Sequence, residues 1–78
     1  MVVEFDEVLD CSGLLCPMPL VKAKKALGQM SVGSILKMIS TDPVSVTDVQ
    51  PWTQMTGHEL VDWAEENGAF VFYIRKLR

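Results

Sequence analysis

The order of apolar and polar positions divides the 78-residue chain into six segments. From Glu4 to Cys11 the alternation is imperfect but strand-like, with Phe5, Leu9 and Cys11 sharing one parity with Glu7 and Val8 on the other. Ser12-Gly13 breaks that pattern, and Leu14-Leu15 place two apolar residues in a short loop. Leu20, Ala23, Leu27 and Met30 then recur at helical spacing, with Ala26 beside them and Lys22 and Lys25 off the stripe. The spacing predicts a helix over 17–29, with Pro17 at its first position, where a missing N–H costs nothing, and Gly28 or Gly33 at its exit. Ser34 to Thr41 is apolar on both parities, as an interior strand tends to be. Strand, helix and strand with short links predict a right-handed parallel βαβ unit.

Asp42-Pro43 is a turn or helix-entry signal, with Asp42 the expected cap of a second helix. Ser45 to Asp48 fits a capping box with Asp in place of the usual Glu, and Val49, Trp52 and Met55 form an apolar face ending at Gly57. Pro51 lies too deep for a helix starting at Ser45, which predicts a kink or a later start near Asp48. His58 to Glu66 reads two ways. Its Glu, Leu and Ala favour a helix, while its parity permits a strand with Val61 and Trp63 on one face and Leu60 on the other. His58 itself is expected in a turn or strand. Asn67-Gly68 is a strong hairpin signal before Ala69 to Ile74, a plain strand. Trp52, Trp63 and Met55 are expected in the core, and either Phe70, Phe72 and Ile74 or Val71 and Tyr73 on the open sheet face.

The sum is one domain over residues 1–78, a two-layer α/β sandwich with two helices on one face of a small sheet. The other face is left to solvent or a partner, and if apolar it suits a homo-oligomer or partner contact.

Composition narrows the function. Hydrophobic residues at 49% and charged residues at 22% are those of an ordinary globular domain. No apolar run approaches the roughly 18 residues of a membrane span. The acidic start, Met1 to Glu7, lacks the basic beginning of a signal peptide, so the expected location is the cytoplasm. A formal charge of -3 argues against direct nucleic-acid binding, which needs a basic excess to neutralise phosphates. Lys22, Lys24 and Lys25 nevertheless cluster just after the second cysteine, as a solvated helix face or a docking patch that selects partners by charge.

The candidate chemistry sits in Asp10-Cys11-Ser12-Gly13-Leu14-Leu15-Cys16-Pro17-Met18-Pro19, which holds both cysteines of the chain. A residue before proline is pushed toward the extended geometry of an N-cap, so Cys16 is expected to cap the first helix. Pro17 and Pro19 carry no N–H, leaving Met18 as the orphan donor of the first turn, and that donor with the helix dipole predicts a lowered thiol pKa. The prolines also hold the sulfur in place. Asp10 is expected to cap the Ser12-Gly13 turn. Cys11 is either a structural thiol at a strand end or a resolving partner of Cys16.

Cys-x4-Cys with the lone His58 makes a poor zinc site, and His58-Glu59 does not continue to a second histidine. No glycine-rich phosphate loop occurs, and the single histidine is remote in sequence from either thiol. What is left is a nucleophilic sulfur with little machinery around it, which fits a carrier that accepts sulfur from one protein and presents it to another.

The run Leu9 to Leu20 resembles the Cys-Pro-x-Pro signature region of the TusA/SirA family of sulfur carriers. Thr41-Asp42-Pro43, Thr56-Gly57-His58-Glu59-Leu60 and Phe72-Tyr73-Ile74-Arg75-Lys76 are similar to that family's later blocks, so the likeness covers nearly the whole chain. The resemblance implies a βαβαββ sandwich with a four-stranded mixed sheet, which would make His58 to Glu66 a strand. It also implies that Cys16 carries the sulfur as a persulfide or thiosulfonate, with no other cofactor. The implied donor is a cysteine desulfurase or rhodanese-like protein. The implied acceptor is a relay protein serving tRNA thiolation, molybdenum-cofactor maturation or sulfur oxidation. The chain departs from the family in Cys11, which lies outside the signature, and in Met18, where relatives often carry a charge. Two further readings are a redox module using Cys11 and Cys16, and a non-catalytic interaction module.

Overall fold

The computed structural model describes residues 3–78, so Met1 and Val2, the start of the acidic N-terminal run, lie outside it. The elements are β1 (Glu7–Cys11), α1 (Met18–Gly28), β2 (Ile35–Ser40), α2 (Val44–Thr56), β3 (Glu59–Glu66) and β4 (Ala69–Arg75). They form one four-stranded sheet in the order β1-β2-β4-β3, with β1 parallel to β2 and β4 antiparallel to both its neighbours. This is an α+β fold with two helices and a mixed open sheet.

The hairpin turn decides the ambiguous segment. Asn67 and Gly68 both take positive φ, 52° and 81°, the pairing a two-residue turn needs to match the twist of its strands. The segment before them therefore folds back on β4 as an edge strand. Its side chains are mostly exposed, which is why its composition resembled a surface helix. A bulge between Leu60 and Asp62 shifts the register and breaks the expected Val61–Trp63 face. Trp63 then lies opposite Phe72 and stacks on it at 6.0 Å between ring centroids. With 43% of its surface exposed, Trp63 covers the core edge rather than filling the core.

Strand periodicity sorts the sheet faces. Leu36 and Met38 of β2 and Phe72 and Ile74 of β4 point to the helix side, where Ala23 and Leu27 of α1 and Val49 of α2 cover them. Tyr73 and Val71 fall on the open face, opposite Lys37 and Ile39. Phe5 lies against Tyr73 there, and the Lys37 ammonium sits 5.0 Å from the Phe5 ring centroid, so this face mixes apolar surface with a cation–π contact.

Helix α2 departs from the expected pattern in two ways. It starts at Val44, not near Asp48, and runs through Pro51, which lies on its exposed side. Its buried stripe is Ser45, Val49 and Thr53, so Met55 is 77% exposed and Trp52 only borders the core. The capping box fails for the same reason: Ser45 is already inside the helix and fully buried.

His58, in the turn between α2 and β3, ties down the C-terminal segment by accepting the Leu77 N–H at Nδ1, 3.2 Å away. Burial, then the charges of Lys76 and Arg78, hold its pKa below the usual 6.5. Folding thus favours neutral His58, so its contribution to stability is present above about pH 6.5 and is lost as pH falls through the lower folded-state value. Thermal melts from about pH 7.5 to about pH 5 should show this loss in the wild type and less of it in His58→Asn, whose side-chain oxygen keeps an acceptor without the titration.

Candidate functional site

Strands β1 and β2 are parallel, so the loops after them, residues 12–17 and 41–43, emerge side by side, each leading into a helix. The carboxyl ends of parallel strands are where such sheets place their sites. The first loop opens with a turn in which the Leu14 N–H donates to the Cys11 carbonyl, with Gly13 at φ +81°, a value side chains rarely tolerate. Asp10 accepts from both the Ser12 N–H and the Ser12 hydroxyl, which caps this turn and lowers the Asp10 pKa. The Gly13 N–H donates to Thr41 Oγ1 at 2.8 Å, which fastens the first loop to the second.

Cys16 sits one residue further from α1 than expected. Pro17 is the N-cap, and Met18 and Pro19 occupy the first two helical positions. The Met18 N–H, the donor that was to face the sulfur, donates instead to the Leu15 carbonyl at 2.9 Å, closing a turn around Cys16. The fixed point for Cys16 is Asp42, which is 8% exposed. One Asp42 carboxylate oxygen accepts the Cys16 N–H at 2.8 Å, and the other accepts the N–H of Val44, the first residue of α2, at 3.0 Å. Asp42 therefore serves the start of α2 and also joins the two loops. The N–H bonds from Cys16 and Val44 hold its carboxyl below the usual carboxylate range.

The Cys16 thiol is half-buried, with Sγ 3.4 Å from Ser45 Oγ. Behind it, Ser45 Oγ lies 2.8 Å from Ser40 Oγ, and Ser40 Oγ accepts the Asp42 N–H at 3.2 Å. Both serines are fully buried. The expected lowering of the thiol pKa is reversed. Burial pushes Cys16 up, the Ser45 hydroxyl draws it down, and Asp42 and Asp48 push it up again by charge, with Asp42 also acting as hydrogen-bond acceptor. The helix-start argument fails because the nearby donors are spent elsewhere: Met18 on Leu15, Val44 on the Asp42 carboxylate and Ser45 on the Asp42 carbonyl.

Cys11 is a different kind of thiol. It ends β1 with no exposed surface and belongs to the core cluster, and burial raises its pKa, while Lys22 lowers it and Asp10 raises it. Both cysteines are free. Leu15 beside Cys16, and Met18 and Val44 at the starts of the two helices, are 72%, 45% and 49% exposed. Lys22, Lys24 and Lys25 are exposed along α1, and Lys22 and Lys25 border a shallow hollow of about 200 Å³ with Leu9, Ala26 and Gln29. A larger hollow of about 570 Å³ lies by Phe5, Asp6 and Ile35, at the opposite ends of β1 and β2 from Cys16. Among the described residues no group of three or more His, Cys, Asp and Glu side chains is placed to hold a metal ion, and no helix is long and apolar enough to cross a membrane.

Sequence reasoning missed Ser40 and Ser45 and saw in Asp42 only a cap. The available signal was Ser40-Thr41-Asp42, three polar residues closing an otherwise apolar interior strand.

Cys16 is thus presented in the loop at the carboxyl end of a parallel strand pair. The chain belongs to the sulfurtransferase TusA family, whose model matches residues 7–76. It is 48% identical to the sulfur carrier protein TusA of Allochromatium vinosum, over 96% of this chain and 99% of that one. It is 37% identical to the sulfur carrier protein TusA of Pseudomonas aeruginosa, over 97% and 96% of the two chains. Its fold matches that of a SirA-like protein from Desulfitobacterium hafniense with a TM-score of 0.80, at 23% identity over 94% of this chain and all of that one.

Proposed function

We propose that this protein relays sulfane sulfur: Cys16 accepts it from a donor protein, holds it as a persulfide, and yields it to an acceptor protein. The observation that carries this reading is the Cys16 thiol, half-buried, with its backbone held by Asp42 and its sulfur 3.4 Å from the Ser45 hydroxyl. Family membership supports sulfur as the cargo. In loading, the Cys16 thiolate attacks the outer sulfur of a donor persulfide, the new S–S bond forms at Cys16, and the donor leaves as a thiolate. Release is the same exchange in the other direction, with an acceptor thiolate attacking the outer sulfur. The exposed apolar side chains of Leu15, Met18 and Val44, in the loop and helix starts that hold Cys16, are a surface that protein partners would meet. A cysteine desulfurase or rhodanese-like protein is the proposed donor. A relay protein of tRNA thiolation, molybdenum-cofactor assembly or sulfur oxidation is the proposed acceptor, with no direct contact to nucleic acid.

The redox-module reading needs Cys11 to reach Cys16, and burial of Cys11 in the core opposes it. Cys11→Ala should therefore load sulfur from a cysteine desulfurase and cysteine to the wild-type extent, and discharge it to an acceptor thiol at the wild-type rate. Loss of loading in Cys11→Ala, with the fold intact by circular dichroism, would favour the two-thiol mechanism.

A further inference from the structure

Resting on that reading of Cys16, we infer that Ser45 is its positioning residue, donating a hydrogen bond to Sγ through a proton chain whose direction Ser40 and the Asp42 backbone fix. One group in the chain has a fixed polarity. A backbone N–H can only donate, so in the 3.2 Å contact of the Asp42 N–H with Ser40 Oγ the serine oxygen is the acceptor. Ser40 Oγ and Ser45 Oγ are 2.8 Å apart, and Ser45 Oγ and Cys16 Sγ are 3.4 Å apart; distance alone leaves either atom of each pair as donor.

If Cys16 and Ser40 both donate to Ser45, the hydroxyl hydrogen of the fully buried Ser45 has no acceptor along the chain, which leaves two arrangements to compare. If Cys16 donates to Ser45 and Ser45 to Ser40, then Ser40 accepts twice and its own hydroxyl hydrogen has no acceptor along the chain. Ser40 is fully buried, so that orphan hydrogen carries the penalty of an unmade buried hydrogen bond. If Ser40 donates to Ser45 and Ser45 to Cys16, each hydroxyl accepts once and donates once, and the last hydrogen points at sulfur. The second arrangement leaves nothing unpaired. It also leaves Sγ an acceptor, the role suited to a thiolate, while the thiol proton is free to face the Asp42 carboxylate.

The consequence falls on both half-reactions. During loading the Ser45 hydroxyl stabilises the attacking thiolate and aims its remaining lone pairs outward. During release, an acceptor thiolate bonds to the outer sulfur of the persulfide, the Sγ–S bond breaks, and its electron pair stays on Sγ. The proton of the persulfide travels with the transferred sulfur, no oxidant is needed, and Ser45 donates to the departing Cys16 thiolate. A better-stabilised leaving thiolate leaves faster. The charged groups acting on Cys16 are Asp42 in the loop before α2 and Asp48 within α2, both opposing the thiolate; Lys22 of α1 acts on Cys11 instead. Among these influences the Ser45 hydroxyl is the one that favours the reactive form.

The test is the pH profile of alkylation at Cys16, read by peptide mass, which reports thiolate without reference to any sulfur cargo. Ser45→Ala should slow alkylation near neutral pH by about tenfold and move the profile to higher pH, as expected for losing one hydrogen bond to a charged group. Ser45→Thr, which keeps the hydroxyl, should restore the wild-type profile, and discharge of a preloaded persulfide should follow the same order. A Ser45→Ala profile that overlays the wild type would overturn the inference. A second measurement reads the thiol proton directly. In the infrared difference between wild type and Cys16→Ala, the S–H band should lack the shift of a thiol donating to a hydroxyl. Ser45→Ala should leave that band in place, and a band that moves when the Ser45 hydroxyl is removed would show Cys16 to be the donor and contradict the proposed direction. Failure of sulfur loading with a shifted alkylation profile would refute the carrier reading and leave the role of Ser45 standing.

Discussion

Replacing Cys16 by alanine should abolish sulfur loading while leaving the fold intact. The change removes Sγ and with it the partner of the buried Ser45 hydroxyl, a cost of about 1–3 kcal/mol, but no bond that closes the loop. The bond from residue 16 to Asp42 is made by the backbone N–H, and the turn around it is closed by the Met18 N–H and the Leu15 carbonyl. Cys11 cannot take over, since it has no exposed surface and burial keeps its thiol protonated at neutral pH. Radiolabelled sulfur supplied through a cysteine desulfurase should therefore appear on the wild type and be undetectable on Cys16→Ala, with superimposable circular dichroism spectra. Persistent label on the variant would place the carrier sulfur elsewhere.

The second large effect concerns stability. Phe72→Ala should destabilise the domain by about 3–5 kcal/mol. Phe72 is fully buried in β4 and pairs across the sheet with Met38 of β2 and with Trp63 of β3, so its removal leaves a cavity in the core and ends the stacking on Trp63. Domains are stable by only about 5–15 kcal/mol, and a small one buries a modest fraction of its surface, so this loss takes much of the total. Urea unfolding followed by the fluorescence of Trp52 and Trp63 measures it, because one indole packs against the core and the other stacks on the Phe72 ring. A midpoint close to wild type would mean that the core is centred elsewhere.

Much of this architecture was legible in residue spacing. The α1 stripe of Leu20, Ala23 and Leu27, the two-sided apolar run of β2 and the Asn67-Gly68 turn rest on local rules, and the structure has α1 over Met18–Gly28, β2 over Ile35–Ser40 and a hairpin. What escaped depends on contacts between distant segments. Periodicity could not say that α2 would bury Ser45 and Thr53 instead of Trp52 and Met55: Ser45 is matched to Ser40 at the end of β2, and Thr53 satisfies its hydroxyl within α2 on the Gln50 carbonyl. Nor could it place the β3 bulge. At the site, the Cys-Pro-Met-Pro spacing marked the sulfur but gave the wrong direction for its pKa. The helix-start donors were assumed free, whereas Leu15 and Asp42 use them, and the acidic side chains acting on Cys16 come from another loop and helix. Family resemblance resolved the His58 to Glu66 segment, which composition alone had left between helix and strand.

The most direct test of the central claim is to locate the cargo. Wild-type protein is incubated with a cysteine desulfurase and cysteine, its thiols are capped, and the peptides covering Cys11 and Cys16 are sequenced by tandem mass spectrometry. The account predicts one added sulfur atom, on Cys16 and not on Cys11. An unmodified Cys16, or added sulfur on Cys11, would contradict it.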